Sequence, residues 1–265
     1  MRSTSVIQLE QPPGKQIKLS SQSSQSTIGG LLIAVGIIAI WATSLILLIS
    51  VDISNWNIFA LLLAVLWQTF LYTGLFITAH DAMHGVVIPG NSKFNHFIGT
   101  LCLTLYGFLS YKKLLNKHWI HHHHPASEND PDFHDGKHKN LFAWYLYFMK
   151  GYWSWWQILA LTSIYNVLNY AFHLPKDNLN YFWVIPSVLS SVQLFYFGTF
   201  LPHREPEGGY STPHRTKTSY RPIWWSFITC YHFGYHEEHH EFPHVPWWQL
   251  PEVYKRRKEL GISGN

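Results

Sequence analysis

Two stretches, 29–51 and 56–79, are almost wholly apolar. A helix crossing the hydrocarbon core of a bilayer needs about 20 such residues. Two further runs, 155–173 and 181–201, are also long enough, and only 13% of the chain is charged. These runs predict an all-α, multi-pass integral membrane protein with four transmembrane helices. Residues 95–111 are apolar but short for a full crossing and predict a re-entrant or interfacial hairpin arm. Residues 141–152 mix Phe, Trp and Tyr with Lys150, which suits a helix lying at headgroup level. Residues 1–28 are rich in Ser and Gln, include Pro12 and Pro13, and read as a mobile tail without a removable signal peptide. No repeat divides the rest, so 29–265 is expected to be one domain.

Four crossings place both termini and the segments 80–140 and 202–265 on one side. That side holds Lys93, Lys112, Lys113, Lys117, Lys137, Lys139, Arg204 and Arg215, whereas the opposite loops offer little beyond Lys176. The excess of positive charge assigns the first side to the cytoplasm. The net charge of +4 belongs to this topology rather than to nucleic-acid binding. Cys102 and Cys230 are far apart, form no CxxC pattern and read as free thiols.

The cytoplasmic segments hold most of the 18 histidines, in three clusters. The first is His80 and His84 in HDAMHG. The second runs through His118, His121, His122, His123 and His124, followed by Asp130 and Asp132. The third is HFGYHEEHH, with His232, His236, His239 and His240. On a helix, residues three or four apart share a face. His80 pairs in this way with His84, His118 with His121 and His122, and His236 with His239 and His240. Neutral imidazole suits Zn, Cu, Fe and Ni, and these eight rings are enough for two ions. His203, just after the last span, is placed to complete one shell. His124 and His232 are further ligand or supporting candidates. Asp81, Asp130, Asp132, Glu237 and Glu241 could accept a ligand ring's second N–H.

Two other classes deserve weighing. His236–His240 matches HExxH, the zinc-protease pattern, but a protease would leave the other clusters idle. A histidine-rich metal transporter would place its ligands near the bilayer midplane, and these spans hold almost none.

The HxxxH, HxxHH and HxxHH boxes at membrane boundaries resemble the integral-membrane fatty acid desaturase and hydroxylase superfamily. More narrowly, HDAMHG, the HxxHHxH run at His118–His124, DPDFH, LPHRE and YHxEHHxxPxxPWxxLP resemble the bacterial and cyanobacterial β-carotene ketolase group. Trp119, Ile120 and His123 depart from that pattern without touching a ligand position. The resemblance implies a non-haem di-iron centre, O2 as oxidant and reduced ferredoxin as electron donor. It implies oxidation of the C4 methylene of β-carotene rings by two hydroxylations and a dehydration, giving echinenone and then canthaxanthin, and it leaves open whether hydroxylated rings such as those of zeaxanthin are accepted on the way to astaxanthin. Carotenoid 3-hydroxylase and fatty acyl desaturase share the boxes and stay open as alternatives. Leu105, Tyr106, Phe108 and Leu109 are candidates for lining a substrate tunnel that opens to the bilayer.

Overall fold

The structure is a computed structural model describing residues 23–219 and 221–261, with side chains from residue 28 onward. The expected tail therefore lies outside the described residues up to residue 22. Residues 23–28 belong instead to the first helix.

The described residues are helical, with no strand among them: α1 (Ser23–Ser50), α2 (Ile58–Met83), α3 (Ser92–Gly107), α4 (Tyr111–His123), α5 (Leu141–Tyr152), α6 (Trp155–Tyr170), α7 (Lys176–His203), α8 (Ile223–Cys230), α9 (His236–Glu241) and α10 (Leu250–Glu259). Short polar residues start several of them. Side-chain oxygens of Asn57, Asn91, Ser110, Asn140 and Ser154 accept the first free N–H groups of α2 to α6. Such caps satisfy donors that have no partner inside the helix.

Among the described residues, three helices are long and apolar enough to cross a bilayer: 28–50, 58–83 and 176–203. The expected crossing at 155–173 is the difference. Its helix, α6, ends at Tyr170 after 16 residues, short of the about 20 that a crossing needs. The chain turns there through His173, whose φ is +55°. The last span also begins earlier than expected, at Lys176.

α2 is the central helix, with α1, α3 and α7 packed against it. Inside this apolar bundle several polar side chains find one another. The Thr73 hydroxyl reaches Ser190 at 2.9 Å and donates to Gln193 at 2.7 Å, tying α2 to α7. Tyr106 of α3 donates to Ser190 at 3.2 Å. Unpaired polar groups would be costly at such depth. α3 and α4 form a hairpin that returns the chain to the end of α2. Its turn is tight because Phe108 adopts the left-handed conformation, φ +56°. Gly99 lacks the Cβ that would collide with the Tyr111 ring.

α7 runs the full height of the bundle. Asn178 Nδ2 donates to the carbonyls of Leu48 and Val51, at 2.9 and 2.7 Å, which pins its start to the far end of α1. Its last residue, His203, reaches the histidine end. Two π-helical turns, Asn180–Val184 and Tyr196–Phe200, interrupt it. α6 descends beside it, from Gln157 at the Gly107 carbonyl to Tyr165 at Asn180. Cys102 and Cys230 are buried and free, as expected.

Candidate metal centre

The ends of α2, α4, α7 and α9 converge on one another. Their histidines sort into two groups: His80, His84, His118, His122 and His239, then His121, His203, His236 and His240. Within each group the chosen ring nitrogens all lie within 4.8 Å of one another. α4 and α9 each feed both groups, because consecutive residues on a helix point about 100° apart. The groups adjoin: His122 and His240, one from each, stack with ring centroids 4.3 Å apart.

The nitrogens face inward in a way that bare imidazoles do not explain. Nε2 atoms meet in pairs: His84 and His118 at 2.6 Å, His122 and His239 at 3.0 Å, His203 and His236 at 2.9 Å, His121 and His240 at 3.1 Å. Two facing Nε2 atoms can share at most one hydrogen bond, and only when one of them carries its ring's N–H and the other does not. Both ring nitrogens of His80 and Nδ1 of His84, His236 and His240 are buried without a hydrogen-bond partner. Buried polar atoms of this kind call for an explanation, and an all-nitrogen set of five and four fits a pair of borderline transition-metal ions.

The electrostatics keep most rings neutral, the form that binds metal. Burial, reinforced by neighbouring rings, holds His118, His122, His236, His239 and His240 below the usual histidine range. His121 differs. Burial opposes its charged form, but the Asp130 carboxylate outweighs this and lifts the ring above its usual value. Asp130 moves the other way: burial would raise it, and His121 leads the contacts that hold it down. The His121 Nδ1 is 3.0 Å from both Asp130 oxygens, which also accept the N–H groups of Ala126 and Asp132. His203 Nδ1 donates to the Arg215 carbonyl at 3.0 Å, leaving Nε2 for the group.

The other candidates divide. Asp132 lies beside His121 and Asp130. It accepts the Tyr152 hydroxyl, and burial pushes its carboxyl up to about 6. Asp81 Oδ1 is 3.7 Å from His80 Nδ1, too far for a hydrogen bond, and its Oδ2 accepts the Trp247 N–H. Glu237 and Glu241 do not serve the rings. They turn away to Arg257, each with an oxygen 3.0 Å from its Nη2. His124 caps α4 through its backbone, is exposed and joins neither group. His232 is buried among Phe227, Tyr235 and Trp247, outside both groups.

A cavity of about 550 Å³ ends on this cluster. His80, His118, His121 and His236 contribute to its wall, with Tyr152 and Phe233 beside them. The rest is mainly apolar, from α3, α5, α6 and α7. Tyr106 and Leu109 line it, whereas Leu105 and Phe108 do not. Leu105 packs against the bundle core, and Phe108 is spent on the left-handed turn.

Several residues around the cluster carried no sequence signal. Arg257 sits in the basic run YKRRK and looks there like any solvated charge. Only its spacing from the buried Leu250 and Val253 marks it as inward-facing. Trp119 packs its ring 5.3 Å from His84 and 5.8 Å from His122. Phe233 packs 4.8 Å from His80.

A family model described as fatty acid desaturase matches residues 54–155 and 148–262. A β-carotene ketolase of Paracoccus sp. (strain PC1) is 46% identical over 71% of this chain and 76% of its own length. Another, of Paracoccus sp. (strain N81106 / MBIC 01143), is 42% identical over 86% of this chain and 93% of its own. A zeaxanthin 4-ketolase of Chlamydomonas reinhardtii is 40% identical over 86% of this chain, which spans 54% of that longer protein. The chain therefore belongs to the fatty acid desaturase family, and the β-carotene ketolases are its relatives within it.

Proposed function

We propose that the protein is a membrane oxygenase that converts the C4 methylene of a carotenoid β-ionone ring to a ketone, taking β-carotene to echinenone and canthaxanthin. The observation that carries this reading is the convergence of nine imidazoles, in two adjoining groups, on the end of an apolar cavity. The ketolase relatives supply the substrate class.

His80, His84, His118, His122 and His239 would hold one iron, and His121, His203, His236 and His240 the other. When bound, the iron pair supplies the activation of O2 and the cleavage of a ring C–H bond, with electrons from a ferredoxin-type donor. The chain's own residues do the rest. The walls from α3, α5, α6 and α7 exclude water and accept a long apolar molecule from the bilayer side. They hold the ring so that C4 rather than C3 faces the histidines, and positioning of this kind decides the product. The C4 hydrogens are the weaker ones, because a radical there is delocalised into the polyene. Asp130 and the Arg215 carbonyl fix the tautomers of His121 and His203. Two oxidations at one carbon give a gem-diol, which loses water to the conjugated ketone.

In this reading α6, although short, completes a fourth pass together with its flanking turns. The histidine end faces the cytoplasm, where the lysines and arginines concentrate.

Pigment analysis of a β-carotene-producing host expressing this chain tests the activity. The expected product is red-shifted and has gained one oxygen and lost two hydrogens per ring. A product with oxygen gained, no hydrogen lost and an unchanged spectrum would make the protein a ring hydroxylase. Unaltered β-carotene beside folded, iron-containing protein would point to a different lipid.

A further inference from the structure

We infer that Arg257 is a positioning residue for the metal centre, clamping the ligand helix α9 from the side opposite its histidines. The inference rests on the dinuclear reading above. α9 has only six residues and no side-chain cap at its start, and so short a helix does not hold its own geometry. It also carries three carboxylates beside three histidines, and that crowding of like charge opposes its formation. All three carboxylates meet one guanidinium. Arg257 Nη2 lies 3.0 Å from Glu237 and 3.0 Å from Glu241, and Nη1 lies 3.0 Å from Glu238. Glu238 also accepts the Thr218 hydroxyl. Arg257 is only 4% exposed, so water does not screen these bonds.

The planar fork makes the contact directional. Three carboxylates tied to one planar guanidinium behind α9 set the helix's rotation about its axis. That rotation aims His236 and His240 at one group and His239 at the other. α9 thus supplies two of the four rings of the fully buried group but one of the five in its neighbour. Loosening α9 should therefore empty the two groups unequally.

The test is iron stoichiometry in detergent-purified, anaerobically loaded protein, with Mössbauer spectra and the rate of iron loss to a chelator. Wild type is expected to hold two irons. Arg257→Gln should fall to about one, with one spectral component lost, as expected when half of one ligand set is released. Adding Glu241→Gln to that variant restores the charge balance without restoring the fork, so the second iron should stay absent. Full recovery in the double variant would mean that Arg257 only neutralises charge, and would overturn the inference. Arg257→Lys keeps the charge but not the planar fork and should lose iron several-fold faster than wild type. If Arg257→Gln does not accumulate, this variant carries the test, and wild-type spectra with wild-type chelator resistance would overturn the inference. So would two tightly held irons in Arg257→Gln. Wild-type protein that binds no iron would instead sink the dinuclear reading itself.

Discussion

Each imidazole has two nitrogens, and the group held by one decides what the other can do. His121 shows this most clearly, since Asp130 takes its Nδ1 and leaves Nε2 pointing at His240. Asp130→Asn keeps an oxygen in place but removes the charge. Metal affinity should fall by about 10–100-fold, the usual effect of removing such a partner, and equilibrium titration with Fe(II) measures it. His203 and His124 provide a contrast: His124 adjoins a cluster in the sequence, whereas His203 stands alone at the end of the last span. His203→Ala should lose one ion, because it deletes a ring from the group of four. His124→Ala should keep both, because that ring is exposed and outside either group. Equal iron contents in the two variants would contradict this placement.

At the scale of elements, close approach decides how the helices present their histidines. Gly198 lies in the second π-turn of α7, where a Cβ would collide with the Phe233 ring. Phe233 packs against His80 and His236 at the cavity end. Gly198→Ala should therefore push that ring towards the histidines. Overpacking of this kind costs about 1–3 kcal/mol, and the displaced ring should reduce ketone formation while iron is retained. Parallel thermal melts, iron assays and pigment assays separate these effects. The short α6 teaches a related point. Its apolar composition reads as a span, yet the helix stops at Tyr170. Composition reports which solvent a segment prefers, whereas the packing of the turns around it decides where the helix ends.

The whole molecule links the centre to pH. Free histidine titrates near 6.5. In the folded protein, burial holds His118, His122, His236, His239 and His240 below that value. As pH falls below about 6.5, the unfolded chain therefore takes up protons that these five folded rings refuse. Stability must then decline with falling pH, by up to about 1.4 kcal/mol per pH unit for each ring. His121 works in the opposite sense: its ring is raised, so its contribution is present at low pH and lost as pH rises through the folded value. The Asp132 carboxyl, raised to about 6, acts in the same sense as His121, but these two groups do not offset five rings. Metal-stripped protein in detergent should accordingly melt at a lower temperature at pH 5 than at pH 7. A midpoint that held or rose across that interval would contradict the burial of neutral rings.

What the sequence determined by itself was local. Apolar run length located the three membrane-length helices, though it also marked 155–173, where α6 stops at Tyr170, and the three- and four-residue spacings set which histidines share a face, because helix geometry is a property of neighbouring residues. Eight ligand candidates were legible for that reason, and His203 by its place at the end of a span. The tertiary structure alone decided the rest. It divided nine rings into five and four, gave His121 to Asp130 and His203 to a backbone carbonyl, and withdrew Glu237 and Glu241 to Arg257. It also chose Tyr106 and Leu109 for the cavity over Leu105 and Phe108. Each of these is a contact made when distant helices pack, and no spacing along the chain encodes which side chains will then meet.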